Sequence, residues 1–199
     1  MPDRAIRRAL RASLRRARLQ LPAPARRDAA ARIARQLSAT GWLRPGLRIA
    51  AFISTPEEID ATPCILRAVQ RGGIVFLPRV TQWRSGRMTF SPVGPRRRIN
   101  RYGIPEPDTP HRLGARWMQI VLVPLVGVDA AGNRLGMGAG FYDRALEFRR
   151  WRTHWRGPLL VGIAHSIQQV DSIPAAPHDI PLDAVITELG VTLFRRPRP

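Results

Sequence analysis

Residues 47–77 read LRIAAFISTPEEIDATPCILRAVQRGGIVFL, and the order of elements in that stretch decides the fold. Residues 47–54 are a short apolar run of the kind presented by a strand buried on both faces. Thr62 suits an N-cap and Pro63 the first helical position, so a helix is predicted over 63–71, stopping at Gly72-Gly73. Residues 74–77 then read as a second strand. Strand, helix and strand in that order form a βαβ unit, which predicts a parallel sheet with a right-handed crossover.

Upstream, residues 2–20 place Ile6, Leu10, Leu14 and Ala17 on one helical stripe, with Arg7, Arg11, Arg15 and Arg18 on adjoining faces. Leu21-Pro22-Ala23-Pro24 breaks that helix, and a second follows with Ala29, Ile33 and Leu37 on one side. Downstream, strands are predicted at 88–90, 121–126, 159–164 and 184–187, and a helix at 142–150. Residues 91–114, rich in Pro, Gly and Arg, read as one long loop. The class is α/β, and 199 residues suit a single domain spanning 1–199.

Composition narrows the chemistry. Hydrophobic residues make up 44% and charged residues 24%, the mix of a globular protein with its own core. Cys64 is the sole cysteine, so an internal disulfide and a Cys-rich zinc site are both excluded. No apolar run reaches the ~18–20 residues of a membrane span and the amino terminus has no apolar signal core, so a cytoplasmic protein is expected. The formal charge is +19, and every basic residue is arginine. Such a surface attracts polyanions, while the lack of lysine rules out a P-loop lysine and a Schiff base.

The stretch VPLVGVDAAGNRLGMGAGFYDR (123–144) holds the densest chemistry. A predicted strand ends, a glycine-rich loop follows, and a helix begins near Phe141. Alternating Gly136, Gly138 and Gly140 let the backbone approach an anion and aim N–H groups at it. Arg134 lies at the mouth of the loop, and Asp143, in the first helical turn, either caps the helix or binds a metal bridging phosphates. The pattern is neither G-K-[ST] nor G-x-G-x-x-G, and a tight strand-to-helix turn without ligand would look the same. Glu57 and Glu58 follow the first strand, where ligands of open α/β sheets bind; the alternative is two solvated carboxylates near a helix start. Asp179 either closes a turn or offers a second carboxylate to a hard cation. His165 reads as hydrogen-bonded packing and Cys64 as a small hydrophobe, while His111 and His154 have no ligand spacing.

In order, these segments resemble the 5-formyltetrahydrofolate cyclo-ligase family, also called methenyltetrahydrofolate synthetases. The resemblance rests on NRLGMGAGFYDR (133–144) and FISTPEEID (52–60), supported by MTF (88–90), YGIPEP (102–107), HDIPLDAVIT (178–187) and the basic first helix. It implies a three-layer α/β/α fold, a mainly parallel Rossmann-like sheet with an N-terminal helical pair. It also implies an ATP- and Mg2+-dependent cyclisation of 5-formyltetrahydrofolate, with or without a polyglutamate tail, to 5,10-methenyltetrahydrofolate, ADP and phosphate. Arg7 and Arg11 match the phosphate-binding basic pair, with Arg7 where lysine is usual. Arg134, Leu135, Gly136, Met137, Gly138, Ala139, Gly140, Phe141 and Tyr142 match the ATP loop, whose Met137–Phe141 part also borders the folate. Met137 and Ala139 stand where some members have basic residues, and Ala176 where glutamate is common. Asp143 and Asp179 match magnesium positions, with Arg134 and Asp143 central to catalysis. Ile53, Glu58 and Tyr102 match folate contacts, Glu58 toward the pterin N–H donors and Tyr102 stacking. Asp143→Ala is expected to abolish turnover and leave the fold intact. A monomer without specific nucleic-acid or membrane partners is expected. The alternatives are a same-fold folate- or nucleotide-binding protein with changed substrate or regulatory role, and a basic nucleic-acid-binding protein, for which no reading motif is present.

Overall fold

The structure, a computed structural model, describes residues 2–82, 84–101, 103–152 and 157–194. The chain opens with α1 (Pro2–Leu19) and α2 (Ala23–Ala39), then β1 (Arg48–Ala50), α3 (Thr62–Gln70), β2 (Ile74–Gln82) and β3 (Arg87–Pro92). A small hairpin, β4 (Arg97–Ile99) and β5 (Pro105–Pro107), leads to β6 (Ile120–Val123). Next come β7 (Gly127–Asp129), β8 (Arg134–Leu135), α4 (Phe141–Leu146), β9 (Leu159–Ile163) and β10 (Gln169–Val170). The last strands are β11 (Ala184–Ile186) and β12 (Val191–Leu193).

The main sheet runs β12-β11-β9-β6-β1-β2-β3. Its five inner strands are parallel, and β3 and β12 pair antiparallel at the two edges. The predicted βαβ unit is there, with β1 against β2 in the register Ile49↔Val75. Alternation along the inner strands builds two cores. Ile49, Ile120 and Leu122 face Ile33 and Leu37 of α2 and Cys64 of α3. Ala50, Val121 and Val123 face the other side, with Leu146 of α4. Full burial of each large aliphatic side chain contributes roughly 1.5–3 kcal/mol, so these faces, not helix propensity, hold the three layers together.

Several expectations need correction. The apolar run 47–54 is assigned as a strand only over Arg48–Ala50; Ala51 N–H still donates to the Phe76 carbonyl at 2.9 Å, and Phe52 and Ile53 then line a crevice. Thr62 is the first helical residue rather than a side-chain cap; its N–H donates to Asp60 Oδ1 at 2.9 Å. The helix predicted at 142–150 is α4 followed by a 3-10 turn, Glu147–Trp151. The 91–114 stretch contains the β4–β5 hairpin. On α1, the arginines are more engaged than the apolar stripe: Leu14 is buried, yet Ile6 is 50% exposed. The other predicted strands and α2 are present, but the strand predicted at 121–126 ends at Val123 and the one predicted at 74–77 runs on to Gln82.

Candidate active site

Four arginines of α1 fasten the helix across loops that follow β1, β6, β8 and β10. Arg7 Nη1 donates to Asp179 Oδ2 at 2.5 Å and to the Pro174 carbonyl at 2.7 Å. Arg11 Nε donates to the Gly136 carbonyl at 2.7 Å. Arg15 makes a two-pronged pair with Glu57, at 2.8 and 2.7 Å. Arg18, 2% exposed, donates to the Leu125 carbonyl at 3.3 Å, with its Nη2 3.6 Å from Glu57. Glu57 is therefore an ion-paired anchor for α1, not a solvated carboxylate, and Arg15 holds its carboxyl below the usual range against the opposing effect of burial.

Between α1 and the strand ends lies a crevice of about 800 Å³. The predicted residues Arg7, Arg11, Ile53, Glu58, Arg134, Asp143 and Asp179 all line it. So do Gly136, Met137, Gly138, Ala139, Gly140, Phe141 and Tyr142. Leu135 does not: its side chain is buried with Leu14, Val126 and Ile173 beneath α1. It ties the loop to the core while its neighbours face the crevice. Tyr102 lies outside the described residues, as does His154.

The glycine loop needs its glycines. Gly138 and Gly140 have φ of +104° and +69°, where a side chain is strained, and Gly140 precedes the first turn of α4. A Cβ at Gly138 would stand 3.9 Å from the Arg11 guanidinium. Backbone amides, a carbonyl-bound arginine and the helix entry thus crowd one spot.

Arg134, 6% exposed, donates from Nη2 to Asp143 Oδ1 at 2.6 Å and lies 5.8 Å from the Tyr142 ring centre. Its Nε and the Tyr142 hydroxyl are buried with no hydrogen-bond partner among the described residues. Burial, helped by nearby Glu58, pushes the Tyr142 phenol well above its usual pKa, so it stays a neutral donor. Buried donors without acceptors are costly, and a ligand bearing oxygens would satisfy them.

The carboxylates sit side by side. Asp143 Oδ1 also accepts from Ile180 N–H at 3.4 Å, next along the chain from Asp179. Asp179 closes its own turn, accepting from Ala176 N–H at 2.8 Å. Burial works to raise its pKa, but the hydrogen bonds from Arg7 and Ala176 outweigh it and hold the carboxyl below the usual value. Burial and the neighbouring Arg7 both lower the Arg11 pKa, with Asp179 opposing. Glu58 Oε2 accepts from Thr55 N–H and hydroxyl at 2.9 and 3.1 Å, so a local turn aims it. Elsewhere, His165 is 2% exposed and caps the 3-10 turn Ser166–Gln168, and Cys64 is buried, as read from the sequence.

The sequence missed the crevice's contribution from the β4–β5 hairpin, where Asn100, Ile104 and Glu106 line the wall. The YGIPEP stretch was the available signal, but it assigned no role to its glutamate. Among the described lining residues, four arginines (Arg4, Arg7, Arg11 and Arg134) face five carboxylates: Asp3, Glu58, Glu106, Asp143 and Asp179. The excess charge of the chain therefore lies mostly outside the crevice.

A mainly parallel sheet with an amide- and arginine-lined crevice past its strand ends is the architecture of an α/β enzyme that handles anionic ligands. Residues 3–188 match the model of the 5-formyltetrahydrofolate cyclo-ligase family, and the chain belongs to that family of ATP-using ligases. It is 37% identical over 143 residues to the 5-formyltetrahydrofolate cyclo-ligase of Escherichia coli K12, covering 70% of this chain and 76% of that one. It is 27% identical over 191 residues to the mouse protein of the same name, covering 91% and 93%. The solution structure of Aquifex aeolicus 5,10-methenyltetrahydrofolate synthetase superimposes with a TM-score of 0.76 at 27% identity, over 98% of this chain and 95% of that one.

Proposed function

We propose that this protein uses ATP to cyclise 5-formyltetrahydrofolate to 5,10-methenyltetrahydrofolate, releasing ADP and phosphate. The observation that carries this reading is convergence: Arg7, Arg11, Arg134, the glycine loop, both aspartates, Ile53 and Glu58 all line one crevice. In the reaction, the formyl oxygen attacks the γ-phosphorus and the bond to ADP breaks. The neighbouring amine nitrogen then bonds to the formyl carbon, its proton passes to solvent, and the carbon–oxygen bond breaks as phosphate leaves. An amide-type oxygen is a poor leaving group, and phosphorylation makes it a good one.

None of these steps needs a protein nucleophile. Positioning and charge neutralisation are what the chain supplies. Arg11 and the amides around Gly138 and Gly140 face the phosphate end, and Arg134 offers Nε from within the wall. Glu58, held by Thr55, presents its carboxylate to the N–H donors of the pterin, with Ile53 beside it.

The donor set also suits magnesium. Mg2+ is usually bound through one or two carboxylates plus substrate phosphates, and Asp143 and Asp179 provide two at one wall. Its charge would screen the transferring phosphoryl group. The balance of four arginines against five carboxylates supports this need, because a polyphosphate arriving without its own cation would meet a wall already neutralised. The test is direct: purified protein, ATP, magnesium and 5-formyltetrahydrofolate should give the methenyl-folate absorbance. Absence of that signal with all three present refutes the activity; folate binding without turnover favours the same-fold regulatory alternative.

A further inference from the structure

The β4 strand of the small hairpin has little carbon to hold it in place, whereas β5 is largely buried. Arg97, Arg98 and Ile99, the whole of β4, are exposed, with Ile99 at 67%. Yet the hairpin end forms part of the crevice wall through Asn100, Ile104 and Glu106. Arg79 of β2 holds the segment just past β5, donating to the Thr109 carbonyl at 2.9 Å, and the hairpin itself is fixed by one carboxylate. Glu106 is 2% exposed, and its Oε1 accepts from Val80 N–H and Asn100 Nδ2, both at 3.1 Å. Oε2 accepts from Arg98 Nη2 at 3.3 Å.

The geometry has a cause in the sheet. Pairing of β2 with β1 ends at Phe76, while β2 continues to Gln82. Beyond that point β2 carries a register irregularity against β3, between Val80 and Gln82. Val80 N–H finds its acceptor in Glu106. The link then passes to the hairpin end: Asn100, bound to Glu106, accepts from Ile104 N–H through Oδ1 at 3.1 Å. A buried carboxylate is tolerated because its three donors satisfy it. Its surroundings in the crevice are Val80, Met88, Pro78 and Ile104, an apolar patch suited to a flat ring system rather than to a triphosphate.

We infer that Glu106 is a positioning residue for the folate ring: it fixes the β4–β5 hairpin to β2 and so sets the wall against which the ring packs. This rests on the cyclo-ligase reading, and it concerns the folate end of the crevice only. The substrate does not need to touch Glu106. Loss of the clamp loosens the wall, so folate affinity falls while the phosphate end, held by α1 and the glycine loop, is unchanged.

The experiment compares wild type, Glu106→Ala and Glu106→Gln in steady-state turnover. It adds equilibrium binding of 5-formyltetrahydrofolate, and of ATP with magnesium, each measured separately. Glu106→Ala should raise the KM and Kd for folate about tenfold or more, with the ATP values within about threefold. Glu106→Gln keeps an oxygen for Val80 N–H and Asn100, so it should restore most of the folate affinity. Should Glu106→Ala fail to fold, Asn100→Ala breaks the link to the hairpin end without exposing Val80 N–H, and should show the same folate-selective loss. Equal losses for folate and ATP in the folded variants, or unchanged folate affinity, overturn the inference while wild-type turnover still supports the activity. Wild-type protein that neither binds nor converts folate overturns the activity, and the inference with it.

Discussion

Replacing Asp143 by asparagine or by alanine separates what this carboxylate does for the fold from what it does for the reaction. Asp143 and Arg134 are 18% and 5% exposed, and their bond is 2.6 Å long. Alanine leaves the Arg134 guanidinium buried without its carboxylate, beside an Nε that already lacks a partner. Removing one member of a buried pair costs about 3–5 kcal/mol, and the open side of the crevice puts this case near 3. At roughly 2–4 °C per kcal/mol for a chain of this size, Tm should fall by about 6–12 °C. The fold expected from sequence to stay intact in Asp143→Ala should therefore persist, but with lower stability. Asparagine keeps an oxygen for Arg134 Nη2 and Ile180 N–H and forfeits only the charge, about 1–2 kcal/mol or roughly 2–8 °C. If Asp143 holds magnesium, Asp143→Asn should still lose about 100-fold in turnover, close to 2.7 kcal/mol. Thermal denaturation, turnover and calorimetric ATP binding with and without magnesium measure these together. Wild-type turnover in Asp143→Asn, with magnesium still strengthening ATP binding, would refute the reasoning.

Three further outcomes follow from the same geometry. The folded-state pKa of Asp179 is depressed, so its stabilising contribution is present above the ordinary aspartate value and is lost as pH falls through the lower folded value. Arg7→Met removes the main depressing partner and with it this contribution, so the variant should melt lower than wild type above the ordinary aspartate pKa, and the gap should close as pH falls; an identical pH dependence of melting in the two proteins would count against the pair. Burial pushes the Cys64 thiol up to about 12, so native protein at pH 8 should resist a thiol reagent that labels the unfolded chain, and rapid native labelling would contradict the burial. Gly140→Ala forces a side chain into φ +69° and places its Cβ 2.8 Å from Arg144 Nη1. It should cost about 1–2 kcal/mol in denaturant melts and raise the KM for ATP; a neutral substitution would mean that the loop does not depend on this backbone turn.

Residues with strong local signals were legible. The apolar runs at β1, β2, β6 and β9 and the Gly72-Gly73 stop suffice for the parallel sheet, because buried strands must be apolar whatever lies beside them. The glycine loop, Arg7, Arg11, Asp143 and Asp179 were legible as a motif, and they do share a crevice. Their partners were not, because pairing is a tertiary property: nothing in the spacing of Glu57 points to Arg15, 42 residues away. The β4–β5 hairpin was not legible as a pair of strands, because all of β4 is exposed and lacks alternation, and YGIPEP gave only a motif without a partner. Arg18 shows the reverse failure, since periodicity places a guanidinium outside an apolar stripe, whereas two neighbouring acids and a carbonyl draw this one in.

The way α1 is attached bears on how the crevice responds to its surroundings. Of the residues of α1, the small apolar cluster beneath it takes Leu14 buried and Leu10 partly so, whereas Arg7, Arg11, Arg15 and Arg18 hold loops by polar contacts. Detaching such a helix uncovers few nonpolar atoms, so it carries a small heat-capacity change and its docking should vary little between cold and warm conditions. Added electrolyte is a different matter: the Arg15–Glu57 pair, 43% and 28% exposed, is open to ionic screening. Salt should therefore loosen the Arg15 end of the amino-terminal helix first, while the buried Arg7–Asp179 pair and Arg18 are largely shielded from it.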